Sequence, residues 1–161
     1  MRSKTLKISL ILMLVFSFSS CQAMRSDLTA VDMKNALTSL VSGADTYVAC
    51  SERYLASVFD LSVEVLPDHA CVRDADLSQN ELGVFACENE AEAKELVTLI
   101  REGLTKRSLH FDDRYFNGEK TKIERAEAVQ MGRYVLYCIL EDGEKNAVIQ
   151  QFYNILKGVA T

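Results

Sequence analysis

The chain is short of the residues from which most metal and nucleophile sites are built. Its two histidines, His69 and His110, stand isolated, and no two cysteines have C-x-x-C spacing. Zinc-ribbon and thioredoxin-like readings therefore have no support. There is no G-x-S-x-G, no H-E-x-x-H, no Walker loop and no G-x-G-x-x-G, which removes the hydrolase, metalloprotease and nucleotide-binding classes that those motifs mark. Long apolar runs are missing too. The longest, Ile8 to Phe18, has 11 residues, where a membrane-spanning helix takes roughly 20. Positive charge is in deficit, with 18 basic against 23 acidic residues. Nothing here offers the basic footprint that nucleic acid requires. The single proline, Pro67, confines the apolar stretch from Leu61 to Leu66 to an edge strand or a connector.

What is present is clearest at the N-terminus. Arg2, Lys4 and Lys7 precede the apolar run, and small residues follow it. That order describes a secretory signal over residues 1–20. Phe18-Ser19-Ser20-Cys21 resembles a bacterial lipobox, with Phe18 in place of the usual leucine. The expectation is lipidation at Cys21, the other reading being an ordinary secretory signal with a cysteine nearby. Acyl chains bind strongly, at about 0.8 kcal/mol per buried methylene. Residues 21–28 would be the lipidated cysteine and a short tether, and 29–161 one domain. Residues 1–20 hold three basic and no acidic residues, leaving 15 basic against 23 acidic, a net charge of −8. Such a domain is repelled by anionic headgroups, so lipid must do the holding.

Apolar periodicity sets the elements. Thr29 to Val41 reads as a helix, with Thr29 and Asp32 approximating a capping box, and Ser51 to Phe59 as a second short one. Residues 70–87 read as a hairpin, two strands about a turn near Gln79. Asn89 to Leu109 is the strongest helix, capped by Asn89 with Glu92 reaching back. His110 to Lys122 reads as a polar loop. Ala126 to Gln130 and Arg133 to Leu140 read as strands joined at Met131-Gly132, the second apolar on both faces and so central. A last helix runs from Gly143 to Leu156. The expected fold is α+β in two layers, an antiparallel sheet of about four strands with helices on one face.

The chain also resembles an uncharacterised bacterial family, a domain of unknown function in small Gram-positive lipoproteins. The resemblance rests on Glu81-Leu82-Gly83-Val84-Phe85-Ala86-Cys87 followed by Glu90-Ala91-Glu92-Ala93, on Tyr115 after a charged helix end, and on Gly132-Arg133-Tyr134-Val135-Leu136. It covers roughly residues 29–157. Phe116-Asn117-Gly118 stands where a proline often follows the tyrosine. The resemblance implies a lipid-anchored surface location and a compact α+β domain, and carries over no activity and no functional residue.

Candidate chemistry is thin. Cys50, Cys71, Cys87 and Cys138 sit among apolar neighbours and read as buried free thiols. The sharper alternative is a cross-strand disulfide between Cys71 and Cys87, placed symmetrically about Gln79 and permitted by export. His69 and Cys71 share a strand face, so a metal could use them with Cys87 or His110. Asp74-x-Asp76-x-Ser78 fails as a calcium loop, with Gln79 and Phe85 where Gly and Glu are needed. The adjacent acids Asp112-Asp113 and Glu141-Asp142 fall at element ends, where capping and solvation explain them. Phe111, Tyr115 and Phe116, in a polar loop, are the candidate binding surface, against the alternative that they pack the loop onto the sheet. No cofactor is expected. The function expected is that of an extracytoplasmic, membrane-anchored lipoprotein acting as a binding or accessory module, with a protein or peptide partner at the envelope. The alternative is an envelope hydrolase using surface carboxylates.

Overall fold

The computed structural model describes residues 24–159, apart from 63, 65, 77, 113 and 115–117. Cys21, Tyr115 and Phe116 therefore lie outside the described residues. The element order is α1 (Ala30–Thr38), β1 (Tyr47–Ala49), α2 (Glu52–Phe59), β2 (Asp68–Asp74), β3 (Glu81–Ala86), α3 (Glu90–His110), α4 (Glu119–Glu124), β4 (Glu127–Met131), β5 (Tyr134–Ile139) and α5 (Asp142–Leu156). Among the described residues the strands form one antiparallel sheet in the order β1-β2-β3-β5-β4.

Local chemistry sets the helix starts. Thr29, Ser51 and Asn89 each accept a hydrogen bond from a backbone N–H in the first turn of α1, α2 and α3, satisfying a donor that the helix leaves without a partner. The Glu92 carboxylate accepts from the Glu88 N–H at 2.9 Å, close to the capping box expected. The β4–β5 turn places Gly132 first in a two-residue loop, at φ +56°, where glycine carries no Cβ penalty.

The fold is α+β, as expected, but its layering differs from the sequence reading. Among the described residues the sheet has five strands, close to the four or so expected, and helices cover both faces rather than one. The reason lies in β3 and β5, every residue of which is buried. Side chains alternate across a sheet, so strands apolar on both faces need cover on both. Leu82, Val84, Ala86, Tyr134, Leu136 and Cys138 point to one side, under α1 and α5. Phe85, Val135, Tyr137 and Ile139 point to the other, under α2, α3 and Ile123 of α4. Each large side chain buried this way contributes roughly 1.5–3 kcal/mol. The segment expected as a polar loop to Lys122 contains α4, and β1 is an edge strand that the pattern did not reveal.

Residues 25–28, the last part of the segment expected as a short tether, are docked. The Arg25 N–H donates to the Leu156 carbonyl at 2.9 Å. Leu28 and Tyr134 exchange two bonds: the Leu28 N–H donates to the phenol oxygen at 3.1 Å, and the hydroxyl donates to the Leu28 carbonyl at 2.9 Å. The chain thus joins the domain at the β5 end that carries Tyr134.

Candidate functional site

At the opposite end of the sheet, β3 opens with a carboxylate facing the core. Strand alternation puts Glu81 on the same side as Gly83 and Phe85, and Glu81 is 1% exposed. A carboxylate stripped of water needs replacement donors, and three are in place. Tyr54 of α2 donates to Oε2 at 2.6 Å, Tyr137 of β5 donates to Oε1 at 2.6 Å, and Arg107 of α3 donates from Nη1 at 2.9 Å. The second Arg107 amino group holds Gln79 Oε1 at 2.9 Å. Burial, then the Glu81 charge, pushes both phenols above their usual range, so they remain neutral donors. Burial pulls Arg107 down, but Glu81, Tyr54 and Tyr137 outweigh it and hold the guanidinium charged.

A glycine makes this geometry available. Gly83 stands between Cys71 on β2 and Tyr137 on β5. A Cβ at Gly83 would collide with the Tyr137 ring. The ring occupies that space, and its hydroxyl reaches across to Cys71 Sγ at 3.0 Å. Cys71 is bonded to Cys50, with Cα atoms 5.2 Å apart.

The Cys71–Cys87 disulfide, the alternative to buried free thiols, is not formed, and Cys50 and Cys71 are bonded to each other rather than free. Hairpin register sets Cys71 opposite Gly83, so Cys87 lies four residues further along, about 13 Å away. A bridge tolerates no more than about 7 Å between Cα atoms. Cys50 instead follows β1 and its N–H donates to the Cys71 carbonyl at 2.9 Å. Cys87 and Cys138 are free and buried, as the bland reading of the cysteines had it. Burial pushes their thiols up, to about 11 and about 12.

Above the Glu81 network, α2 and α3 leave a cleft of about 530 Å³ whose lining includes Tyr54, Ser57, Asp60, Arg73, Lys106 and His110. Its floor is set by Gly103, where an added Cβ would come within 2.8 Å of the Val58 carbonyl oxygen. The Arg73 guanidinium lies over the Tyr54 ring, 5.6 Å from its centroid, a cation–π arrangement. Lys106 meets Asp60 at 3.8 Å in solvent, where such a pair holds loosely. Arginine, lysine and histidine thus gather on an otherwise acidic domain, an arrangement suited to an anionic group.

The residues singled out in the sequence are dispersed. The Phe111 ring is half-buried and packs against the core face beneath α2 and α3, so it does not contribute to an exposed aromatic surface. His69 Nδ1 lies 2.8 Å from the Pro67 carbonyl, away from any sulfur ligand set. Asp112 is held by Arg114 at 2.9 Å, and Asp142 by Lys145 and Arg125, both at 2.9 Å. Those hydrogen bonds hold both carboxyls below their usual pKa, the direction opposite to that of a general acid. Sequence reasoning missed Cys50, Tyr54, Glu81 and Arg107. Two signals were available. Alternation already put Glu81 on the core face, and Arg107 continues the inward stripe of α3 through Leu96, Ile100 and Leu104. No family model, curated protein or solved structure matches this chain.

Proposed function

We propose that the chain is an extracytoplasmic binding module, anchored to the membrane by lipid at Cys21, that offers its cationic cleft to an acidic segment of a protein or peptide at the envelope. The observation that carries this reading is the opposition of tether and cleft. Arg25–Leu28 dock at the Tyr134 end of the sheet, whereas Glu81 and Arg73 lie at the end where β5 finishes with Ile139. Five residues of strand separate the two ends, about 17 Å, and α3, 21 residues long, carries His110 about 30 Å beyond its own start. A chain lipidated at residue 21 holds the docked end against the bilayer and turns the cleft outward. The Cys50–Cys71 disulfide is in keeping with an oxidising compartment, and the resemblance to surface lipoproteins points the same way.

The test has two arms. Metabolic labelling with a palmitate analogue marks the wild-type chain and leaves Cys21→Ser unmarked; equal labelling ends the anchor. A photocrosslinker at Ser57, at the cleft, captures a partner in intact cells, and Arg73→Glu abolishes that product. The same crosslinker at Ala147 on α5 captures none. Equal capture from both positions, or indifference to Arg73→Glu, ends the assignment of the cleft.

A further inference from the structure

The corner beneath the cleft holds a set of ligand atoms that the display reading does not use. Cys50 Sγ, Cys71 Sγ and a carboxylate oxygen of Glu81 lie within 4.8 Å of one another. We propose that opening the Cys50–Cys71 disulfide turns this corner into a site for a thiophilic divalent cation of the zinc class, with two thiolates and the Glu81 carboxylate as ligands.

Three features support it. The first is spacing. Bonds of about 2.3 Å to sulfur and 2.0 Å to oxygen place tetrahedral ligand atoms roughly 3.3–3.8 Å apart. The carboxylate oxygen lies within 4.8 Å of both sulfurs, and the sulfurs, once unbonded, part to make room for an ion. Cys71 and Glu81 are held by the inner strands β2 and β3, each paired on both sides, whereas Cys50 follows the three-residue edge strand β1, which has β2 alone as its strand neighbour and can yield.

The second is charge. Two thiolates and a carboxylate carry three negative charges and the cation two positive ones. The remaining positive charge is supplied by Arg107, 2.9 Å from Glu81 and with a side chain 19% exposed. The filled site is neutral, which is what a buried corner demands. The third is the surroundings. Tyr54 and Arg107 already fix the carboxylate through Oε2. The Tyr137 hydroxyl donates its one proton to Glu81 Oε1 and lies 3.0 Å from Cys71 Sγ, so it can turn to a thiolate once the carboxylate takes the cation. Outer partners of this kind orient metal ligands.

The chemistry balances. A dithiol reductant attacks the half-exposed Cys50 sulfur and forms a mixed disulfide, releasing Cys71 as the thiol. Its second thiol then displaces Cys50 and leaves as the cyclic disulfide. Two electrons and two protons have moved from reductant to protein. Cation binding then expels the two thiol protons. The β1 edge is clasped to β2 by a covalent bond in the oxidised chain and by an ion in the reduced one.

The test uses the full chain, reduced with a phosphine that is then removed under argon, and titrated with cobalt(II) as the spectroscopic stand-in for zinc. The reduced protein takes up one equivalent with a thiolate-to-cobalt charge-transfer band, zinc bleaches that band, and the oxidised protein gives none. Cys50→Ser and Cys71→Ser each weaken binding by about 100-fold or more, and Glu81→Gln by at least about 10-fold. Absence of the band in the reduced wild type overturns the proposal. So does an undiminished band in Cys50→Ser, which would place the ion on other thiols. Should Glu81→Gln fail to fold, Cys50→Ser, which leaves the buried network whole, decides the matter.

Discussion

Glu81 shows how much one side chain decides at the residue scale. Its three donors replace water completely enough that an anion sits buried at the head of a strand. Removing one member of such a group costs more than the group itself contributes, because the others are left buried without partners. Glu81→Gln is expected to lower unfolding free energy by about 3 kcal/mol, and Tyr54→Phe by about 1 kcal/mol. Urea melts of both at constant slope check this, and equal costs would show that Glu81 is not the hub. Cys138 gives a pH signature. Burial, then the charge of Glu127, pushes its thiol up from 9.0 to about 12. The folded chain keeps the proton across an interval in which the unfolded chain has released it. This stabilisation is full below pH 9 and is lost as pH rises toward about 12. Stability should therefore fall between about pH 9 and about pH 12, and Cys138→Ala should flatten that slope. A parallel decline in the variant would refute the assignment.

At the scale of elements, two glycines shape the site by what they leave empty. Gly83→Ala should drive the Tyr137 ring off Glu81 and Cys71 at a cost of about 1–3 kcal/mol, the usual range for overpacking. Gly103→Ala gains helix propensity, about 1 kcal/mol, but forces α3 away from the Val58 carbonyl. The net effect expected is a loss of stability and a widened cleft, seen as faster hydrogen exchange in α2. Helix α3 was legible because its signals agree: an Asn cap, a glutamate reaching back, and an apolar stripe about three turns long. Helix α4 was hidden because it has six residues, follows Gly118, and lacks a side-chain cap. Strand β1 was hidden for a related reason. It has three residues, two of them exposed, and takes its conformation from pairing with β2 and not from its own alternation.

At the scale of the whole molecule, the Cys50–Cys71 bridge ties residues 21 positions apart. Closing a loop of that length in the unfolded chain is worth roughly 3 kcal/mol. Reduction should lower the urea midpoint accordingly, and added zinc should restore part of the loss if the reduced corner binds it. The proposed outward orientation of the cleft is also testable on cells. Ser57→Cys, exposed on α2, should react with a membrane-impermeant maleimide, while the buried Cys87 and Cys138 stay unlabelled. Labelling of Ser57→Cys that required cell lysis would place the domain on the other side of the membrane.

Some of this protein is written locally. Periodicity, caps and turn glycines identify the principal helices and the four longer strands, because those signals act between residues near one another in sequence. The two-sided burial of β5 was visible as well, although its consequence, helices on both faces, was not drawn from it. The partners of Cys71 and Glu81 could not be read in this way. Cys50, Tyr54, Arg107 and Tyr137 come from four separate parts of the chain. The pairing of whole strands decides which of them meet: the β1–β2 register sets Cys50 beside Cys71, while the β2–β3 register carries Cys87 four residues past it.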